Sequence, residues 1–229
     1  MSNKGKLYGV GVGPGDPELV TLKACRLINE HKYIAYPGKA PEDTMAYNIV
    51  KDIIEKPEEK EYISCYVQMT KDRAILDSNY DKAAAAIMEV LDKGEDVVYI
   101  TIGDPTVYAT YYYVHERVRD AGYETELVSG VPSFCAVAAT VDTSLGERAE
   151  MIHVVPSSYE IDEALALPGN KILMKSASKM KDVKEKLMAL DADVYMVENC
   201  CLENQRVFMS AEEIDENAGY MSVILVKEK

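Results

Sequence analysis

The chain has 229 residues and a formal net charge of −14, with 25 Lys and Arg against 39 Asp and Glu, so nucleic acid and anionic membrane are repelled unless a local basic patch intervenes. Hydrophobic residues make up 48%, enough for one large domain or two smaller ones, but no apolar run approaches the ~18 residues of a membrane span. The start MSNKGKLYG lacks an apolar secretory stretch, and five cysteines without CxxC spacing suit free thiols in a reducing cytoplasm, so the expectation is a cytoplasmic protein that binds neither nucleic acid nor membrane.

The first strand is predicted over 7–13, LYGVGVG, and a helix from Glu18 on which Leu19, Leu22, Leu27 and Ile28 recur at roughly helical spacing. YIAY (33–36) is a second strand, followed by a helix around 45–55 and the strand-like EYISCYV (61–67). Tyr80, Ala84, Ile87, Met88 and Leu91 then fall at i, i+4, i+7, i+8 and i+11, a helix closed by Gly94. DVVYITI (96–102) reads as a buried strand, Val107, Tyr111, Val114, Val118 and Ala121 as a helix stripe ended by Gly122, and ETELV (124–128) as a fifth strand. This βαβ alternation predicts an α/β domain with a mostly parallel five-stranded sheet covered on both faces.

Beyond residue 130 the pattern changes. MIHVV, KILMK, DVYMVE, RVFM and MSVILV read as strands, but helices separate only some of them, the clearest over 178–190. Closely spaced final strands predict a mixed sheet. The domain change is placed near 130, giving one αβα domain over 1–130 and a second over 131–229.

Four glycines crowd positions 9–15, followed by Asp16-Pro17. A dinucleotide phosphate cradle needs free backbone N–H groups at a helix start, yet Pro14 and Pro17 have none, and Asp16 adds a negative charge. The acid expected about 20 residues on, after the second strand, is replaced by Pro37-Gly38, so the loop reads against NAD and FAD. The first and fourth strands instead share an exit, Gly15-Asp16-Pro17 and Gly103-Asp104-Pro105, and the fifth leaves through Ser129-Gly130-Val131-Pro132-Ser133. Gly permits a sharp turn, Asp can cap the next helix and Pro suits its first turn. In a parallel sheet all three exits lie at the carboxyl edge, where ligands of such folds bind. Capping and ligand contact are compatible roles.

GVGVGPGDPELVTLKA (9–24) together with YITIGDPTVYATYYYVHERVRDAGYETELVSGVPSFCAVAA (99–139) resembles the paired motifs of the tetrapyrrole (corrin/porphyrin) methylases. The resemblance covers nearly the whole chain. It implies a class III methyltransferase fold with S-adenosylmethionine (SAM) in a cleft between two αβα domains, a homodimer, and S-adenosylhomocysteine as product. Within the family, YVQMTKDR (66–73), GDPTVYATYYYV, SGVPSFCA and ERAEMIHVVPSSYE (147–160) resemble enzymes that methylate carbon-20 of precorrin-2 or cobalt-factor II on the way to cobalamin. Of these the cobalt-bearing ring of the anaerobic route is preferred, because free cysteines and eleven methionines suit a cell with little oxygen. The metal-free ring, and more remotely a same-fold methylase with a macromolecular target, are the alternatives.

The resemblance implies positions. Pro14 matches a cofactor-side proline, with Gly13, Gly15 and Asp16 bordering the tetrapyrrole. Gly103 and Asp104 match the loop that receives the methionine part of SAM, and Val107 a backbone contact one turn on. Pro132 and Ser133 match a Thr-Ala or Thr-Ser pair, Pro132 being a departure. Met174 and Lys175 stand where relatives place Tyr-Met beside the adenine, Lys175 departing from that pattern. Tyr220 and Met221 match a segment whose backbone meets the adenine.

Methyl transfer from a sulfonium asks for in-line placement at ~3 to 3.5 Å more than for a proton-transferring side chain, and no residue declares itself as general base. Asp104 is read as pairing with the cofactor's α-ammonium or as a helix cap. A carboxylate-rich substrate on an acidic protein requires local cations, and Arg73, Arg148 and Arg206 are candidates, each set against a solvated surface role. Tyr108, Tyr111, Tyr112 and Tyr113 point round a helix, towards core or dimer surface. Cys200-Cys201 and the scattered His31, His115 and His153 show no metal-ligand spacing. Only His153, near the start of the second domain, is kept as a group that can approach a substrate's cobalt.

Overall fold

The computed structural model describes residues 4–156 and 161–228, and the chain separates into two compact units, Met1–Pro132 and Ser133–Lys229. The motif segment 157–160 lies outside the described residues. In the first unit, β1 (Lys6–Gly11), β2 (Tyr33–Tyr36), β3 (Glu61–Ser64), β4 (Val97–Thr101) and β5 (Glu124–Val128) form one sheet in the order β3-β2-β4-β1-β5, and every pair is parallel. The central strand β4 is buried along its whole length, as expected of a strand covered on both faces.

Side-chain alternation along the strands sorts the core into two layers. Val10, Ile34, Val98 and Ile100 face α1 (Leu22–Glu30) and α2 (Met45–Val50), packing with Leu27, Ile28 and Ile49. Leu7, Ala35, Val97 and Tyr99 face α3 (Arg73–Leu91) and α4 (Tyr111–Asp120), packing with Ala84, Ile87, Val114 and Val118. The Tyr111 ring lies against β1 at Gly9, where any Cβ would overlap it.

Two helix starts and one helix end differ from the predicted ones. Asp16 caps only a short 3-10 turn, Pro17–Leu19, and α1 starts afresh at Leu22 with Thr21 Oγ1 accepting from the Ala24 N–H. Leu22 therefore stands at the helix start, 89% exposed, despite its apolar spacing. The helix around 45–55 is only Met45–Val50, capped by Thr44. The stripe predicted from Val107 begins at Tyr111, because 104–107 is wound into a turn by Asp104 and Tyr108 adopts φ 50, left-handed backbone that an α-helix cannot include.

The second unit opens with α5 (Ser133–Thr140) and holds β6 (Ile152–Pro156), α6 (Asp162–Leu165), β7 (Asn170–Met174), α7 (Met180–Met188), β8 (Ala192–Glu198), β9 (Arg206–Phe208) and β10 (Ser222–Glu228). The sheet order is β6-β7-β10-β8-β9. β6 and β7 run parallel and the remaining pairs antiparallel, the mixed sheet expected. Leu173, Met196, Ile224 and Val226 pack with Met180, Val183 and Leu187, while α5 lies along β10 and β8. Among the described residues, no helix is long and apolar enough to cross a membrane.

Glu126 on β5 receives Lys6 Nζ at 2.6 Å and Lys23 Nζ at 2.5 Å, and these hydrogen bonds hold its carboxyl down at about 2. A carboxylate with an unfolded value near ~4.3 and a depressed folded value contributes stability above ~4.3, lost as pH falls towards the folded value. Chemical denaturation between pH ~4.3 and about 2 should therefore show a shallower acid slope for Glu126→Gln than for the parent; identical slopes would remove this triad from the acid response.

Candidate functional site

Strands β4, β1 and β5 are neighbours, so their three exits meet at one carboxyl edge. The exits are in backbone contact: the Gly13 N–H donates to the Gly103 carbonyl at 3.3 Å and the Gly103 N–H to the Gly13 carbonyl at 2.8 Å. A Cβ on Gly11 would overlap the Gly103 carbonyl oxygen and stand 2.7 Å from the Gly130 nitrogen, and one on Gly130 would overlap the same oxygen. The glycines at 11 and 130 are thus required by the approach of backbone to backbone. Gly103 differs: its φ is +67, and a Cβ there would meet nothing within 4 Å, so its outer face is clear.

Asp104, only 7% exposed, accepts from the Thr106 N–H at 2.8 Å, the Thr106 hydroxyl at 2.5 Å and the Gly130 N–H at 3.1 Å. It does not cap α4, whose N-terminus has no side-chain cap; it braces the β4 exit against the β5 exit. Oδ1 takes both Thr106 bonds and Oδ2 only the Gly130 bond, which leaves Oδ2 capacity for a further donor. Val107 follows in the braced turn, its N–H on the Asp104 carbonyl at 3.2 Å. Gly13, Pro14 and Gly15 are buried under the same edge, and Asp16 Oδ1 is engaged by the Glu18 N–H at 2.8 Å. Pro132 closes the first unit and Ser133 opens the second.

A second cluster forms within the second unit. Met174, the last residue of β7, pairs with Val223 near the start of β10, so Met174, Lys175, Tyr220 and Met221 share one end of the sheet. Lys175 turns the chain with φ 62, and Tyr220 is 61% exposed. The Met221 carbonyl accepts from the Asn199 N–H at 3.0 Å.

Glu198, buried at the end of β8, organises this cluster and has no place among the sequence-derived site residues. Its Oε1 accepts from the Gly219 N–H at 2.5 Å, ahead of Tyr220, while Oε2 accepts from Arg206 Nε at 2.6 Å. An acid closing an apolar strand with an arginine eight residues on is the sequence signal that marks it.

Arg206 already has carboxylate partners. Its guanidinium is paired within its own unit, Nη2 to Glu198 at 2.5 Å and Nη1 to Asp215 at 2.7 Å, so it neutralises a buried carboxylate. Arg73, in the first turn of α3, and Arg148, at φ 51, are exposed. His153 Nε2 donates to the Pro168 carbonyl at 2.9 Å. Tyr111 is buried, with its hydroxyl 2.9 Å from His115 Nδ1, whereas Tyr108, Tyr112 and Tyr113 are exposed. All five cysteines are free, and among the described residues no group of three His, Cys, Asp or Glu is placed to hold a metal.

The family model described as Tetrapyrrole (Corrin/Porphyrin) Methylases matches residues 6–215. A protein of Methanocaldococcus jannaschii named "Probable cobalt-precorrin-2 C(20)-methyltransferase" is 32% identical, the alignment covering 97% of this chain and 96% of that one. The "Cobalt-precorrin-2 C(20)-methyltransferase" of Salmonella typhimurium is 28% identical over 98% of this chain and 97% of its own. A crystal structure of a cobalt precorrin-4 methyltransferase superposes with a TM-score of 0.77 at 19% identity, covering 97% of this chain and 94% of that one, a likeness of fold.

The brace makes a prediction that separates the two acids. Asp104→Asn replaces an acceptor-only group by one carrying an NH2 that must face a donor, so denaturant unfolding should show a loss of about 1–3 kcal/mol. Asp16→Asn keeps a single cap acceptor and should stay within about 0.5 kcal/mol of the parent. Equal stabilities for the two variants would refute the brace.

Proposed function

Because the chain belongs to the tetrapyrrole (corrin/porphyrin) methylases, we propose that it transfers the methyl group of SAM to carbon-20 of cobalt-factor II, a cobalt-bearing ring of the precorrin-2 type, in cobalamin biosynthesis. The observation that carries this reading is full-length similarity to two proteins named as cobalt-precorrin-2 C(20)-methyltransferases. The first sheet's carboxyl edge supports it physically. The clear face of Gly103 and the spare acceptor capacity of Asp104 Oδ2 suit the methionine end of SAM, whose ammonium would complete a charge-assisted bond there. Bound SAM supplies an electrophilic methyl on a sulfonium, and the reduced macrocycle supplies the carbon nucleophile.

What remains for this chain is orientation and exclusion of water. Gly103, Asp104 and Val107 hold one end of the cofactor, with the buried Pro14 turn as a rigid floor. Met174, Lys175, Tyr220 and Met221 are the residues assigned to the adenine. No side chain is assigned as general base. Exposed Arg73 and Arg148 are the cations offered to the substrate's carboxylates. The acidic chain, with its −14 formal charge, does not suit an RNA target.

The test is competition. With SAM and equal amounts of cobalt-factor II and precorrin-2 under anaerobic conditions, mass spectrometry should show the cobalt-bearing ring gaining a methyl first. Preferential methylation of the metal-free ring would overturn the substrate choice, and transfer to neither would overturn the function. Assembly is proposed as a two-fold homodimer in the cytoplasm, with a self-complementary interface. Light scattering at micromolar concentration should return about twice the 25.5 kDa chain mass, and a clean monomer would contradict it.

A further inference from the structure

Cys200 and Cys201 occupy the turn that follows β8. Their Sγ atoms lie 3.6 Å apart, and Cys200 Sγ is also 3.6 Å from the Thr140 hydroxyl on α5. Cys200 is buried and Cys201 half-buried. The backbone here is unusual: Asn199 has φ 52 and Cys201 φ 66, a region that residues other than glycine seldom adopt. Such a conformation persists where its surroundings over-determine it. Here the Cys201 N–H donates to Gln205 Oε1 at 2.8 Å, the Leu202 N–H to the Asn199 carbonyl at 3.0 Å, and the Asn199 N–H to the Met221 carbonyl at 3.0 Å. The turn thereby keeps two thiols face to face, and methyl transfer uses neither.

We propose that Cys200-Cys201 is a reversible modification site, a dithiol that a small-molecule disulfide converts to a disulfide between adjacent residues, and that closing this ring lowers the affinity for SAM. The second clause rests on the assignment of Met221 to the adenine contact. Half-buried Cys201 attacks first: its thiolate displaces one thiolate from the small disulfide and forms a mixed disulfide. Cys200 then loses its proton, attacks the Cys201 sulfur and expels the second thiolate. The sum is two protein thiols and one small disulfide giving one protein disulfide and two small thiols, with no other oxidant.

Burial pushes the Cys200 thiol up to about 11, so the second step gains speed as pH rises. The ring has to draw the sulfurs from 3.6 Å to about 2.05 Å, which shifts the turn. Adjacent Cα atoms ~3.8 Å apart fall short of the ~4.4–6.8 Å usual for disulfides. A strained disulfide of this kind is easily reduced, which suits a switch and not a staple. Cys65, by contrast, is buried with its thiol pushed up to about 12.

The experiment treats the full chain with oxidised glutathione, alkylates the remaining thiols and maps the peptides by mass. S-adenosylhomocysteine affinity is measured calorimetrically before oxidation, after it, and after dithiothreitol. The peptide holding Cys200 and Cys201 should lose two hydrogens and escape alkylation, affinity should fall roughly fivefold or more, and dithiothreitol should restore both. Cys201→Ser should bind as the untreated parent does and ignore the oxidant. Alkylation of both cysteines, glutathione persisting on Cys201, a bond from either to another cysteine, or a closed ring with unchanged affinity would each overturn the proposal. An untreated chain that binds no S-adenosylhomocysteine counts against the cofactor reading, and the peptide map then decides the dithiol site on its own.

Discussion

The contact on which the first unit's candidate site depends is backbone against backbone. Gly11, Gly103 and Gly130 bring the exits of three adjacent parallel strands so close that a methyl on Gly11 or Gly130 would overlap the Gly103 carbonyl. Peptide groups at that spacing must satisfy one another or a side chain, since a buried N–H without a partner is costly. Gly13 and Gly103 bond reciprocally, and the Gly130 N–H finds the Asp104 carboxylate. The brace leaves a clear face over Gly103 and a carboxylate oxygen with capacity to spare. A rigid edge made of peptide groups suits a reaction governed by placement, where small displacements are expensive.

The second unit solves a similar problem with charge. Glu198 is buried where β8 ends, and the arginine of β9 compensates it. A buried carboxylate stripped of such a partner would be strongly destabilising. Paired, it holds the Gly219 N–H and with it the entry to β10. Arg206 therefore acts on the proposed cofactor contacts at second hand, by shaping the segment that carries Tyr220 and Met221.

Much of this is legible in the sequence. Continuous apolar strands alternating with helical stripes predict the parallel sheet, and Val97 to Thr101, buried throughout, is the plainest case. The three turn motifs single out the carboxyl edge as the candidate site, and the sheet order makes them neighbours. Helix starts were poorly legible, because apolar spacing cannot show where a cap falls. Thr21 takes the role expected near Asp16, so Leu22 is left in solvent. The Asp104 turn and the left-handed Tyr108 hold α4 back to Tyr111.

Side-chain allegiance was the least legible property of all. An arginine beside a family-like segment does not name its partner, and only the pairing of β8 with β9, which sets Glu198 opposite Arg206, reveals the ion pair. What Gly11 is needed for is likewise hidden until the strand order sets it against Gly130. By itself the sequence determined fold class, strand content and family, because these follow from local periodicity and from motifs contiguous in the chain. Tertiary structure alone decided which polar groups are already spoken for. Hydrogen bonds and ion pairs join residues distant along the chain, and their partners exist only once the sheets have set their order and register.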